Sequence, residues 1–163
     1  MSVNKNKPHV LVLPEDDANR CIARGFHLEL FPLERQLHIE REAGGWLKVL
    51  ECFRDVHARD MEAIPQRLLI LLIDFDGQKD RLAEANRYIP AHLRDRVFIL
   101  GALKEPEDLK RTIGCSLESI GRALGTDCRD DTDYTWGHHM LRHNAGEVAR
   151  LRKSVRPILF KHH

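Results

Sequence analysis

A chain of 163 residues suffices for one domain with a sizeable core, and 26 Lys and Arg against 25 Asp and Glu leave no global field for nucleic acid or an anionic membrane. Four cysteines, Cys21, Cys52, Cys115 and Cys128, are scattered without a Cys-x-x-Cys pair, which argues against a zinc knuckle or a disulfide framework and fits a reduced, cytoplasmic protein. Met1 to Pro8 is polar and the apolar runs are too short to span a bilayer, so neither a signal peptide nor membrane insertion is expected. His162 and His163, after Lys161, read as the remnant of a purification tag and carry no functional weight.

In chain order, Val10–Leu13 predicts a short buried strand ended by Pro14, followed by Glu15, Asp16 and Asp17 and a helix from Ala18 to about Gly25. Gln36–Glu42 alternates, with Leu37 and Ile39 on one side, as a half-buried strand does, and Gly44-Gly45 breaks it. Trp46, Val49, Leu50, Phe53 and Val56 recur at helical spacing. The aliphatic run Leu68–Ile73 predicts a strand covered on both faces, closed by Asp74-Phe75-Asp76-Gly77. Leu82, Ala85, Ile89 and Leu93 suggest a helix that Pro90 must kink or end, and Val97–Leu100 reads as the next strand. Glu105-Pro106-Glu107-Asp108 has the proline and acids of a helix start.

This alternation predicts an α/β fold: a three-layer sandwich around a central, mostly parallel sheet of about four strands. Beyond it, Ile113, Leu117, Ile120 and Leu124 form one helical stripe, and Leu141, Val148, Leu151 and Val155 a second that ends near Pro157. The chain therefore reads as a single domain, 1–163, with an α/β core over 9–112 and a C-terminal helical extension over 113–160. That extension is a candidate surface for a protein partner. It carries an acidic patch, Asp127, Asp130, Asp131 and Asp133, followed by a basic stretch, Arg150, Arg152, Lys153, Arg156 and Lys161, suited to a phosphate backbone or simply to solvent.

In open α/β sheets, ligands bind beyond the carboxyl ends of the strands. The first and central strands of this architecture end close together, which brings Glu15, Asp16 or Asp17 towards Asp74 and Asp76. Clustered carboxylates repel unless a cation is bound, and Mg²⁺ takes oxygen ligands from one or two carboxylates together with phosphate and water. The same acids also suit helix caps.

The pattern of a strand, Glu15, three residues and Asn19, then a strand, Asp74-x-Asp76-Gly77, resembles the Toprim domain of primases, topoisomerases and OLD-type nucleases. The resemblance covers about residues 9–112. It implies that Asp74 and Asp76 hold Mg²⁺ (or Mn²⁺), that Glu15 is a metal ligand or the general acid/base, and that Glu107, or Glu105, is the further acid of nuclease-type members. Asp16 stands where that family commonly has glycine, and Asn19 where it has a second acid.

LVLPEDDANR also resembles the opening of response-regulator receiver domains, with Asp16 and Asp17 as the metal-binding pair and Asp74 as phosphoacceptor. Here Met-Pro is missing before Gly77, Gly101-Ala102 replaces the expected Ser or Thr, and no fifth strand ending in Lys-Pro is evident. Phosphorelay activity is not expected from that set.

His139 and His143 stand at i and i+4, which on a helix would place two imidazoles on one face, suited to a transition metal or to proton transfer if the extension folds over the strand ends. Arg142 and Asn144 beside them, and Lys79 and Lys104 at the strand ends, are candidate phosphate contacts. Walker A, GxGxxG and GxSxG patterns are absent. The leading expectation is Mg²⁺-dependent phosphodiester chemistry on DNA or RNA, of nuclease or nickase type. The alternative is a non-catalytic regulatory or protein-interaction module on the same scaffold.

Overall fold

A computed structural model describes residues 3–160; Lys161 and the tag-like His162 and His163 lie outside the described residues. At its centre is a four-stranded, all-parallel sheet in the order β2-β1-β3-β4, comprising β1 (His9–Pro14), β2 (Leu37–Ile39), β3 (Arg67–Leu72) and β4 (Val97–Leu100). Val10, Val12, Ile70, Phe98 and Leu100 enter one core layer, and Leu11, Leu13, Leu69, Leu71 and Ile99 the other. Two covered faces are what an unbroken aliphatic run demands, so the expected three-layer α/β architecture is the observed one.

On the first face lie α1 (Asp17–Leu28), α5 (Pro106–Ile113), α6 (Leu117–Asp130), α7 (Ala145–Ser154) and the single turn α8 (Arg156–Leu159). The second face carries α2 (Trp46–Cys52), α3 (Ala58–Ala63) and α4 (Arg81–Asn86). A π-helical turn, Phe53–His57, joins α2 to α3. Its wider winding corrects one expectation: Val56 is half exposed, and His57 takes the buried position four residues after Phe53.

Three further expectations need correction. Strand β2 covers three residues rather than Gln36–Glu42. Beyond it the chain stays beside β1 without a regular ladder, Glu40 N donating to Val12 O at 2.8 Å, Ala43 N to Pro14 O at 3.0 Å and Gly44 N to Glu15 O at 2.8 Å, before Gly44 and Gly45, both at positive φ. Pro90 ends the predicted Leu82–Leu93 helix: α4 stops at Asn86, and a 3₁₀ segment, Ala91–Arg96, leads into β4. The stripe from Ile113 to Leu124 is two helices, since Gly114 turns left-handed at φ 84° and Ser116 caps α6 by accepting from Ser119 N at 3.1 Å.

Helix α6 belongs to the sandwich itself. It crosses α1 at glycines: a Cβ on Gly121 would lie 1.9 Å from Ile22 O, and one on Gly25 1.9 Å from Glu118 O. The C-terminal charges are also largely consumed internally. Arg150 pairs with Glu147 at 2.7 Å, Arg152 with Asp131 and Asp133, and Arg156 donates to Arg129 O at 2.8 Å.

Along the free edge of β4, side chains stand in for a fifth strand. Glu147 accepts from Ile99 N at 2.8 Å, Arg150 donates to Val97 O at 3.2 Å, and Asn144 both accepts from Gly101 N at 3.2 Å and donates to Gly101 O at 3.0 Å. At the amino ends of the central strands, buried His9 accepts through Nε2 from Arg67 Nε at 3.0 Å, and burial holds its imidazole below the usual histidine range.

The glycine crossing predicts a clear contrast. Gly121→Ala forces two backbones apart and is expected to cost about 2–3 kcal/mol, or about 5–10 °C in Tm. Gly146→Ala, in α7 with open space around its Cβ position, is expected to leave Tm unchanged or raised. Thermal unfolding followed by circular dichroism measures both.

Candidate functional site

The site forms because β1 and β3 run side by side in register, Pro14 opposite Leu72, and both chains continue together past their strands. Glu15 N donates to Leu72 O at 2.9 Å, and Asp74 N donates to Glu15 Oε2 at 2.6 Å. Next in the chain, Asp16 is the N-cap of α1, its Oδ1 accepting from Asn19 N at 2.9 Å. Helix α1 then turns Asn19, wholly buried, back over the strand ends. The Asn19 amide spends both hydrogens on acids, donating to Asp16 Oδ1 and to Asp74 Oδ1, each at 2.9 Å.

Carboxylate oxygens of Glu15, Asp16 and Asp74 consequently lie within 4.8 Å of one another. Two unit charges about 4 Å apart repel by about 4 kcal/mol at an effective dielectric of 20, so three ionised carboxylates here oppose folding. Asp74 is pushed up to about 7, chiefly by burial; repulsion from Glu15, Asp16 and Asp76 adds to this, and the Asn19 hydrogen bond opposes it. Burial likewise raises Glu15, again with Asp16 and Asp76 adding and with the Asp74 N–H and Arg81 opposing. The donor set suits a hard divalent cation, which takes carboxylate oxygens at about 2.1 Å and removes the repulsion.

The remaining candidates fall elsewhere. Asp17 is exposed in the first turn of α1, where it favours the helix dipole. Asp76, left-handed at φ 51°, accepts from Arg81 at 2.9 Å and is not among the three converging acids. Glu107 is exposed in the first turn of α5, also outside that group. His139 and His143 do not share a helix face: His139 is exposed in a turn and stacks on His138 at 4.3 Å, and His143 sits in a 3₁₀ turn, Arg142–Asn144. The i and i+4 spacing assumed a helix that starts only at Ala145. His143 does fold back to the strand ends, but its Nε2 bonds Gly101 O at 2.7 Å and its ring meets Phe75 at 4.7 Å, so it anchors the β4 end. Burial lowers its pKa.

Arg81 has the position that sequence reasoning missed. Its NH1 group donates to Asp74 O and Asp76 Oδ2, both at 2.9 Å, and its guanidinium lies 3.9 Å from the Trp46 ring centroid. One arginine thus fixes the Asp74–Gly77 turn. The available signal, a lone Arg four residues after an Asp-x-Asp-Gly turn, does not distinguish it from a surface charge.

Of the acids in the receiver-like pattern, Asp16 and Asp74 lie in the converging group and Asp17 does not. A Cβ on Gly101 would lie 1.5 Å from Ile73 O, so a serine or threonine has no room there. Among the described residues the sheet has no fifth strand, and helix α7 lines the β4 edge instead. No protein-family model matches the sequence, and neither curated proteins nor solved structures provide a match. No helix among the described residues is long and apolar enough to cross a membrane.

The raised Asp74 carboxyl sets a pH signature. It binds a proton in the folded protein up to about pH 7 but in the unfolded chain only up to about 3.8. Its contribution to stability is therefore complete below the lower value and lost as pH rises through the higher one. In metal-free buffer, Tm of the wild type relative to Asp74→Asn is expected to fall from pH 5 to pH 8, and Mg²⁺ to restore it at pH 8. A pH-independent difference between the two proteins counts against the assignment.

Proposed function

We propose that this chain is a divalent-cation-dependent enzyme acting on phosphodiester bonds of nucleic acid. Supporting it is the meeting, at the ends of two adjacent parallel strands, of three acids from separate positions, Glu15, Asp16 and Asp74, within 4.8 Å. The phosphodiester substrate class rests on the resemblance of the Glu15 and Asp74-x-Asp76 patterns to the Toprim domain. Four free cysteines accord with a reducing, cytoplasmic setting.

Asp74 and Asp16 would hold Mg²⁺ or Mn²⁺, with Asn19 fixing one oxygen of each. When bound, the cation supplies charge stabilisation to the attacked phosphate. Glu15 has one carboxylate oxygen engaged by Asp74 N, and burial raises its pKa above the ordinary carboxylate value, the direction that favours a general acid/base. Glu15 is therefore the proton carrier. Asp76 acts through Arg81, holding the turn and keeping a positive charge beside the acids. Lys79 and Lys104, exposed in the segments after β3 and β4, are the side chains available to meet neighbouring phosphates.

The second reading, a non-catalytic interaction module, draws on a different observation: the acids already have protein partners. Asp16 caps α1, Asn19 bonds Asp16 and Asp74, and Asp76 pairs with Arg81. Calorimetric titration with Mg²⁺ and Mn²⁺ separates the two readings, since only the first requires binding that Asp74→Asn abolishes.

Nicking of supercoiled plasmid and cleavage of single-stranded DNA and RNA test the chemistry. With Mg²⁺ or Mn²⁺ the wild type is expected to be active, Glu15→Gln to lose about 10²- to 10⁴-fold, as when a general acid/base is removed, and Asp74→Ala/Asp76→Ala to be inactive. Equal rates in wild type and variants, or no cleavage with either metal, overturn the enzymatic reading.

A further inference from the structure

Asn19 and Arg81 are not alone in holding the Asp74–Gly77 turn. Side chains past β3 alternate: Asp74 reaches Asn19, while Ile73 and Phe75 enter the second core layer. The β3–β4 pairing runs on beyond both strands. Ile73 N donates to Leu100 O at 2.9 Å, Phe75 N to Ala102 O at 3.0 Å and Gly77 N to Leu103 O at 2.6 Å. Residues 140–144 then close on that continuation. Met140 O accepts from Leu103 N at 2.9 Å, Asn144 bonds both backbone groups of Gly101, and His143 Nε2 donates to Gly101 O at 2.7 Å.

His143 bears on the chain at both neighbours of Asp74. It reaches Ile73 through Gly101, whose backbone is so close that a Cβ there would lie 1.5 Å from Ile73 O. It reaches Phe75 directly, the two rings meeting edge-on with centroids 4.7 Å apart and planes at 62°. Phe75 is itself buried, so its ring and the backbone beneath it move together. A carbonyl oxygen only accepts, so the proton sits on Nε2 and the imidazole is the neutral tautomer. Its Nδ1 is buried and has no hydrogen-bond partner. One nitrogen spent on a carbonyl and the other shut away describe a fixed ring, not a proton shuttle.

We propose that His143 is a positioning residue for the acidic site. By holding Ile73 and Phe75 it fixes the stretch of backbone that carries Asp74 between them. The placement of the acids thereby answers to the C-terminal segment, which contributes no acid of its own to the cluster. The consequence for cation binding rests on the reading proposed above; the clasp itself does not. Groups that orient ligating side chains without touching the metal cost about 10- to 100-fold in affinity when removed.

Two variants and two measurements test this. His143→Ala removes both contacts, and His143→Gln returns an N–H at comparable reach. In metal-free protein, amide hydrogen exchange followed by NMR is expected to lose protection selectively at Phe75 and Gly77 in His143→Ala, with the β1 amides unchanged. Calorimetric titration with Mg²⁺ is expected to give His143→Ala a dissociation constant about 10- to 100-fold above the wild type. His143→Gln is expected to recover part of both losses. Unchanged protection at Phe75 and Gly77, or a loss spread evenly over the sheet, overturns the proposal. So does unaltered Mg²⁺ affinity where protection is lost, or a His143→Gln variant no better than His143→Ala. A wild type that binds no Mg²⁺ overturns the cation reading instead, and hydrogen exchange then decides the clasp alone. Should His143→Ala not fold, His143→Phe, which keeps a ring against Phe75 and lacks the donor, takes its place in both measurements.

Discussion

Everything at the acidic end of this protein depends on the parallel pairing of β1 with β3. The register sets Pro14 opposite Leu72, and the two chains remain bonded one step further through Glu15 N and then the Glu15 carboxylate. A carboxylate accepting a backbone N–H from the neighbouring strand is a ladder bond made by a side chain. It continues the sheet and brings an acidic group to the chain that carries Asp74. Without this pairing the acids of the two turns would face solvent separately, and each would behave as an ordinary cap.

The cost is electrostatic. Desolvation raises Asp74 and Glu15, and repulsion adds to it, from Glu15, Asp16 and Asp76 on Asp74 and from Asp16 and Asp76 on Glu15. Asn19 and Arg81 offset part of that from opposite sides, the amide spanning Asp16 and Asp74 and the guanidinium bracing Asp74 O against Asp76. Neither removes the cause, which is three acids in a half-buried space. A fold seeking stability alone could place a serine or glycine at any of these positions, and the crowding of three acids there is the observation on which the proposed cation chemistry rests.

The strands were legible in the sequence because burial on two faces leaves a plain mark: Leu68–Ile73 and Val97–Leu100 admit no other reading. Convergence of Glu15 with Asp74 followed from that, since adjacent parallel strands end together. What lay hidden was the partner of each polar group. Asp76 and Asp16 are equivalent in sequence as acids after a strand, yet a left-handed turn gives Asp76 to Arg81 and a helix cap turns Asp16 inward. Likewise His139 and His143 lost their shared face to a boundary at Ala145, and Val56 lost its burial to a π turn. Boundaries and local winding are decided by tertiary contacts that a periodic pattern does not encode.

The side chains laid along β4 bear on assembly. An unpaired parallel edge is a template on which another chain can polymerise, and here Asn144, Glu147 and Arg150 occupy its donors and acceptors one by one. Growth of the sheet on that side must first displace a helix. Any self-association by strand addition is thereby diverted from the β4 flank.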